Sequence, residues 1–167
     1  YIDYPNPVAA IEYTNDKDKL MNLVGNIYGI VNLFDGLNYK LLIGNDMRKT
    51  DSYVFDPTYK VSNAQQNPVS KVTRNNYSRN NLLVENTLNY SKVFDKIHSV
   101  NAMLGYSAES TTYETLGASK QNTPNNDPSM QYLDAAQLAS SATASGGKVE
   151  STLLSYIARV NYSFDDR

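Results

Sequence analysis

Five tyrosines, Tyr53, Tyr59, Tyr77, Tyr113 and Tyr132, stand in stretches rich in Asn, Ser, Thr and Gln. Aromatic faces there can stack on sugar rings, and phenol hydroxyls can bond polar ligands or a lid-like partner protein. The same rings can equally pack neighbouring segments together. A second group mixes charge and amide: Lys40, Asp46, Arg48, Glu85, Asn101, Glu109, Arg159 and Asn161. Such a set suits hydration of a lumen or docking of another domain. Bond-making chemistry is not visible. There is no Cys, a single His (His98), and no recognisable carboxylate pair, Ser/His/Asp order or Gly-rich phosphate loop. The reading is therefore not an enzyme, with no catalytic residue, no metal and no cofactor expected. Asp16-Lys17-Asp18 and Asn125-Asn126-Asp127 offer oxygen atoms that suit calcium, but neither has the EF-hand pattern, and both read as solvated loop. His98 reads as an interfacial polar residue, and Asp165-Asp166 as a turn former.

These residues must be carried by a framework of modest charge and unusual aromatic choice. The 167 residues have a net charge of −2, which argues against nucleic-acid binding. There are 14 Tyr against 4 Phe and no Trp. Tyr is favoured where one end of a side chain is apolar and the other wet. No apolar run is long enough for a membrane helix, but a membrane β-strand needs only about 9–11 residues and alternates in polarity. The chain begins at Tyr1 without a signal-like segment and stops at Arg167 just past a turn, so both ends read as cut.

Alternation defines five strands, expected at about 20–33, 37–52, 80–90, 98–111 and 152–164. Residues 1–19 read as polar and irregular, with Pro5 and Pro7 opposed to a central strand. On one face lie Met21, Leu23, Ile27, Val31 and Leu33, then Leu37, Tyr39, Leu41 and Ile43, with the matching positions of the later strands. The charged and amide row falls on the opposite face. Short connections alternate with long ones, about 53–79 and 112–151, and a short helix is expected from Pro128 through about Ala139. Three strand ends carry Asn and then Phe-Asp, at Phe34-Asp35, Phe94-Asp95 and Phe164-Asp165. Asp35-Gly36 is a strong hairpin signal.

Along the alternating apolar stretches, in the second strand the part before Lys49 and Asp51, the apolar faces carry no charge. A Lys or Arg facing lipid at mid-membrane costs roughly 2–4 kcal/mol, a large part of a typical stability of about 5–15 kcal/mol. A β-sandwich also keeps its inner face free of charge, so alternation alone does not separate the two. Two features favour a barrel. Tyr39, Tyr90, Phe94, Tyr162 and Phe164 gather near the short turns, as an interfacial girdle would, and Gly25, Gly29, Ala102 and Ala158 make the apolar face thin for a core. The fold expected is all-β: an antiparallel, up-and-down transmembrane β-barrel segment with two long extracellular loops. Five strands cannot close a barrel, because the open edges would leave unpaired backbone groups in lipid.

Several runs carry a family resemblance. Asn6-Pro7-Val8-Ala9, Leu23-Val24-Gly25-Asn26-Ile27-Tyr28, Gly36-Leu37-Asn38-Tyr39-Lys40 and Gly44-Asn45-Asp46 are four of them. His98-Ser99, Leu104-Gly105-Tyr106-Ser107 and the run from Ser155 through Arg159 to Phe164 follow. In order and spacing these resemble the barrel of SusC/RagA-type TonB-linked outer-membrane transporters, most specifically over residues 6–46 and 151–167. The resemblance implies a 22-stranded barrel, an N-terminal plug that has no counterpart in this chain, and energy from a TonB complex. It further implies a SusD-like surface lipoprotein as a lid, oligosaccharide or oligopeptide cargo, contact with outer-membrane lipid, and residence in the outer membrane of a Gram-negative bacterium. The alternatives are a soluble or surface β-sandwich that binds carbohydrate, and a non-importing outer-membrane barrel.

Overall fold

The computed structural model describes residues 6–165. A short helix, α1 (Pro7–Glu12), precedes the strands β1 (Asn15–Phe34), β2 (Leu37–Asp56), β3 (Tyr59–Lys60), β4 (Gln66–Asn67), β5 (Lys71–Phe94), β6 (His98–Gln121) and β7 (Leu138–Phe164). The five long strands form one sheet in the order β1-β2-β5-β6-β7, each beside its sequence neighbour, and β3 pairs antiparallel with β4. This is the expected up-and-down, all-β arrangement. Among the described residues no second sheet covers the apolar face, as one would in a sandwich.

The strands run further than the alternation of apolar residues. β5, β6 and β7 continue through 71–79, 112–121 and 138–151, which were expected to be loop. Past the apolar stretch a ladder needs only backbone partners and the absence of proline; side chains on both faces can be polar. The long connections therefore shrink to 57–70 and 122–137, and neither is structureless. The first contains the β3–β4 hairpin, and the second a 3-10 turn at Pro128–Met130. The expected helix from Pro128 to about Ala139 is only this one turn, and its cap is Asp127, whose side chain accepts from the Ser129 backbone N–H. In the N-terminal segment, expected to be irregular, α1 forms because the Asn6 side chain accepts from the Val8 N–H at 3.0 Å while Pro7 occupies the first helical turn.

The chain divides into two compact units. The short-turn unit comprises Asn22–Arg48, Arg79–Tyr113 and the chain from Val149. Here β1, β5 and β7 each end on the Phe of a Phe-Asp pair, so the repeated motif is a strand terminus. Asp95 and Asp165 both take positive φ (49° each), a conformation that short polar side chains tolerate. Gly36 has φ 84°, and a Cβ there would lie 2.6 Å from the Ser91 carbonyl oxygen, so the first hairpin needs glycine for two reasons. Each turn is tied to the next strand pair: the Ser91 N–H donates to Gly36 O at 2.7 Å, and the Asp165 N–H to Ile97 O at 2.8 Å.

The loop-side unit comprises the chain up to Met21 together with Lys49–Ser78 and Glu114–Lys148. It holds every buried hydrophobic side chain among the described residues: Ala9, Phe55, Val72 and Ala136. A buried polar knot adjoins them, in which the Ser70 hydroxyl lies 2.7 Å from that of Thr123 and accepts from the Thr123 N–H at 2.8 Å. The short-turn unit has no buried hydrophobic side chain among the described residues; Leu104 is 60 % exposed and Val160 73 %. Its only charges on the apolar face are at the two ends, Lys92 beside the short turns and Glu150 opposite. Lys92 ion-pairs with Asp35 at 3.4 Å.

Candidate functional site

In the short-turn unit the charged row is built by alternation: neighbouring strands bring same-face residues together, and the contacts verify the facing. Lys40 Nζ sits 4.8 Å from the centre of the Tyr28 ring. Arg79 pairs with Asp46 at 3.4 Å and also lies over the Tyr113 ring at 5.9 Å. The Asn81 amide donates to Glu109 at 2.8 Å and accepts from the Thr111 hydroxyl at 3.0 Å. Asn101 accepts from Ser91 at 2.6 Å. Arg48, Glu85, Arg159 and Asn161 make no side-chain hydrogen bond or ion pair among the described residues. The row thus divides into a part satisfied within the sheet and a part free for another surface.

The five tyrosines do not form one cluster. Tyr59, in β3, and Tyr132 lie in the long connections; Tyr53, Tyr77 and Tyr113 fall in β2, β5 and β6 because those strands extend past the apolar stretch. Tyr113 belongs to the charged face through Arg79. Tyr77 stands in β5 and is partly exposed. Tyr59 stacks on Tyr13, with centroids 4.4 Å apart and planes 4° from parallel, which is a packing contact.

Tyr53 and Tyr132 share a cleft of about 670 Å³ in the loop-side unit, with Arg74, Lys17, Lys19 and Asp51 on its walls. The Arg74 guanidinium carbon lies 4.2 Å from the Tyr53 ring centre. The Tyr53 hydroxyl donates to Gln131 Oε1 at 2.9 Å, and Asn15 donates to the same oxygen at 3.1 Å. Gln131 in turn donates to the Asn126 carbonyl at 2.9 Å. One glutamine thereby binds β1, β2 and the second long connection. Partial burial pushes the Tyr53 phenol above its ordinary pKa, against the lowering pull of Arg74, while Tyr132 adds to the rise.

The two oxygen-rich segments have structural employment. Asn126 Oδ1 accepts from the Thr58 N–H at 3.0 Å, and its amide donates to Thr58 O at 2.8 Å. Asp127 caps the 3-10 turn through the Ser129 hydroxyl and N–H, and these bonds hold its carboxyl below the usual carboxylate range. Asp16, Lys17 and Asp18 lie in β1, not in a loop, so the two carboxylates alternate away from Lys17. Among the described residues no three His, Asp or Glu side chains gather as a metal site would require.

No family model matches the chain, and no curated protein matches it in sequence. Solved structures do. A structure of the RagAB peptide transporter aligns with TM-score 0.83 at 19% identity, over 95% of this chain and 17% of that chain. The RagAB peptide importer in the "open-open" state gives 0.83 at 20% identity over the same shares, and in the "closed-closed" state 0.81 at 19% identity over 92% and 17%. In fold, the chain is a SusC/RagA-like barrel segment. It spans 17% of the length of the chains it resembles.

At the short turns of this SusC/RagA-like segment, His98 Nδ1 lies 2.8 Å from the Tyr162 hydroxyl and its ring 5.2 Å from Phe164, an aromatic cluster on one rim. Sequence reasoning missed Lys17, Lys19, Arg74 and Gln131. A signal for the first two was present: Lys17 and Lys19 continue the parity of Met21 and Leu23 in β1. Arg74 continues the parity of Leu82 and Val84 in β5 in the same way, and Gln131 had no signal, because its neighbours come from distant segments.

Proposed function

We propose that this chain is part of the β-barrel of a TonB-dependent outer-membrane importer that takes up oligopeptides or oligosaccharides with a SusD-like lipoprotein. One observation carries the reading: a five-stranded sheet whose apolar face is uncovered and free of charge between its two ends. In water such a face would have to be buried; in a bilayer it is already solvated. At the end away from the short turns, β5 carries no charge on that face before Arg74, and the first charges on it in β1, β2, β6 and β7 are Lys19, Lys49, Glu114 and Glu150. These lie roughly 12–16 residues from the short turns, or about 28–37 Å of height for strands tilted near 45°, which matches a bilayer of about 30 Å with its interfaces. The strands beyond that level are mostly polar on both faces and stand outside the cell. The peptide cargo of RagAB favours oligopeptides as the substrate class here. Of the site residues, Arg48, Glu85, Arg159 and Asn161 would meet a plug or a wet lumen, and Tyr77 and Tyr113 the lumen side near cargo or lid.

The test is made on the full-length protein. It should fractionate with the outer membrane, require detergent, and run faster on gels unheated than boiled. Cells lacking it should lose uptake of labelled oligopeptides. A detergent-free soluble monomer would overturn the proposal, and an outer-membrane protein whose loss leaves uptake intact would favour a non-importing barrel.

A further inference from the structure

The cleft that holds Tyr53 faces the wrong way for cargo. Along β1, Lys17 and Lys19 occupy the same side as Met21 and Leu23, the apolar side, and Asp16 and Asp18 the other. In β2 Tyr53 likewise continues the parity of Leu41 and Ile43, and in β5 Arg74 that of Leu82 and Val84. On the proposed function, on which this inference rests, that side meets lipid, and the cleft lies just beyond the apolar stretch, where lipid headgroups are.

The cleft is also cationic, in a chain whose net charge is negative. Lys17 and Lys19 make no ion pair or hydrogen bond among the described residues. Arg74 contacts the Tyr53 ring, and no carboxylate pairs with it among the described residues. A guanidinium packed against a ring still has its in-plane N–H groups for an acceptor, and their fork geometry suits phosphate. The one acidic lining residue, Asp51, is already engaged: Lys49 lies 4.0 Å away, and the Asn76 amide donates to it. Three cations without carboxylate partners therefore converge on a cleft of about 670 Å³, with Tyr132, 53 % exposed, as an aromatic wall.

We infer that Lys17, Lys19 and Arg74 form a binding site for the phosphate groups of an outer-leaflet lipid. The cleft would take the lipid's charged head. A cargo peptide or glycan would approach the opposite face, so the parity of these three residues favours lipid over substrate.

The probe is lipid A in detergent micelles, titrated against the full-length protein, with dephosphorylated lipid A and inorganic phosphate as comparison ligands. Lipid A should bind, and more weakly as salt rises. The triple variant Lys17→Gln/Lys19→Gln/Arg74→Gln should bind it about a hundredfold more weakly, with about fivefold for each single change. Lys40→Gln, on the other face, should leave binding unchanged. Gel mobility of unheated samples verifies that each variant is folded. Equal binding of dephosphorylated lipid A, or inorganic phosphate binding as tightly as lipid A, overturns the lipid-phosphate assignment. So does a folded triple variant that keeps full affinity. Failure of the importer reading is seen separately, as a full-length protein that does not reside in the outer membrane, and it removes the basis of the site altogether.

Discussion

Tyr53 shows how one side chain joins packing to charge. Its hydroxyl is committed to Gln131, its ring carries Arg74, and its phenol is held protonated above the ordinary range by burial. The sign follows from that cause. A raised phenol pKa contributes stability that is complete below the unfolded value of about 10 and is lost as pH rises through the folded value. Absorbance titration of phenolate should therefore show one late-ionising tyrosine in the wild type that is missing in Tyr53→Phe. Losing the hydroxyl leaves Gln131 with Asn15 alone on its carbonyl oxygen, and should cost about 0.5–1.5 kcal/mol of stability in denaturant unfolding. None of this was legible in the sequence. Tyr53, Arg74 and Gln131 come from two strands and a connection, and short-range periodicity says nothing about which distant residues meet. That the charged residues share one face of the sheet was legible, because facing follows from counting alone.

At the scale of the element, the Phe-Asp repeat and the Asp35-Gly36 hairpin were readable because each is local: a strand ends on an aromatic, and the turn chemistry begins at the next residue. Far ends were not readable, since polar ladder residues look like loop residues. Gly36→Ala should destabilise the folded barrel by more than about 1 kcal/mol, because the left-handed φ and the nearby Ser91 carbonyl both oppose a Cβ. Urea unfolding in lipid vesicles measures it. The same experiment tests facing on β6. Leu104→Arg, on the exposed apolar side, should cost roughly 2–4 kcal/mol near mid-membrane. Met103→Arg, one residue away on the charged face, should stay within about 0.5 kcal/mol. Equal costs at the two positions would mean that the sheet does not separate lipid from lumen.

For the whole molecule, the decisive feature is what this sheet leaves unfinished. Its apolar face lacks a protein cover, and part of its charged row lacks partners among the described residues. Asp46 and Glu109 are answered within the sheet, so changing them should disturb the barrel itself. Arg48, Glu85 and Arg159 are not, and a charge facing a lumen is cheap to hold only if water or a second domain meets it. If a plug domain supplies those partners, a charge reversal there should act on transport and spare assembly. Arg159→Glu in the full-length protein should keep normal outer-membrane levels and normal unheated gel mobility, while uptake of labelled oligopeptide falls several-fold. Arg159→Gln, which removes the pairing without adding repulsion, should fall between the reversal and the wild type. Unchanged uptake in both variants would assign Arg159 to hydration of the lumen, and loss of the folded gel form would assign it to the barrel wall.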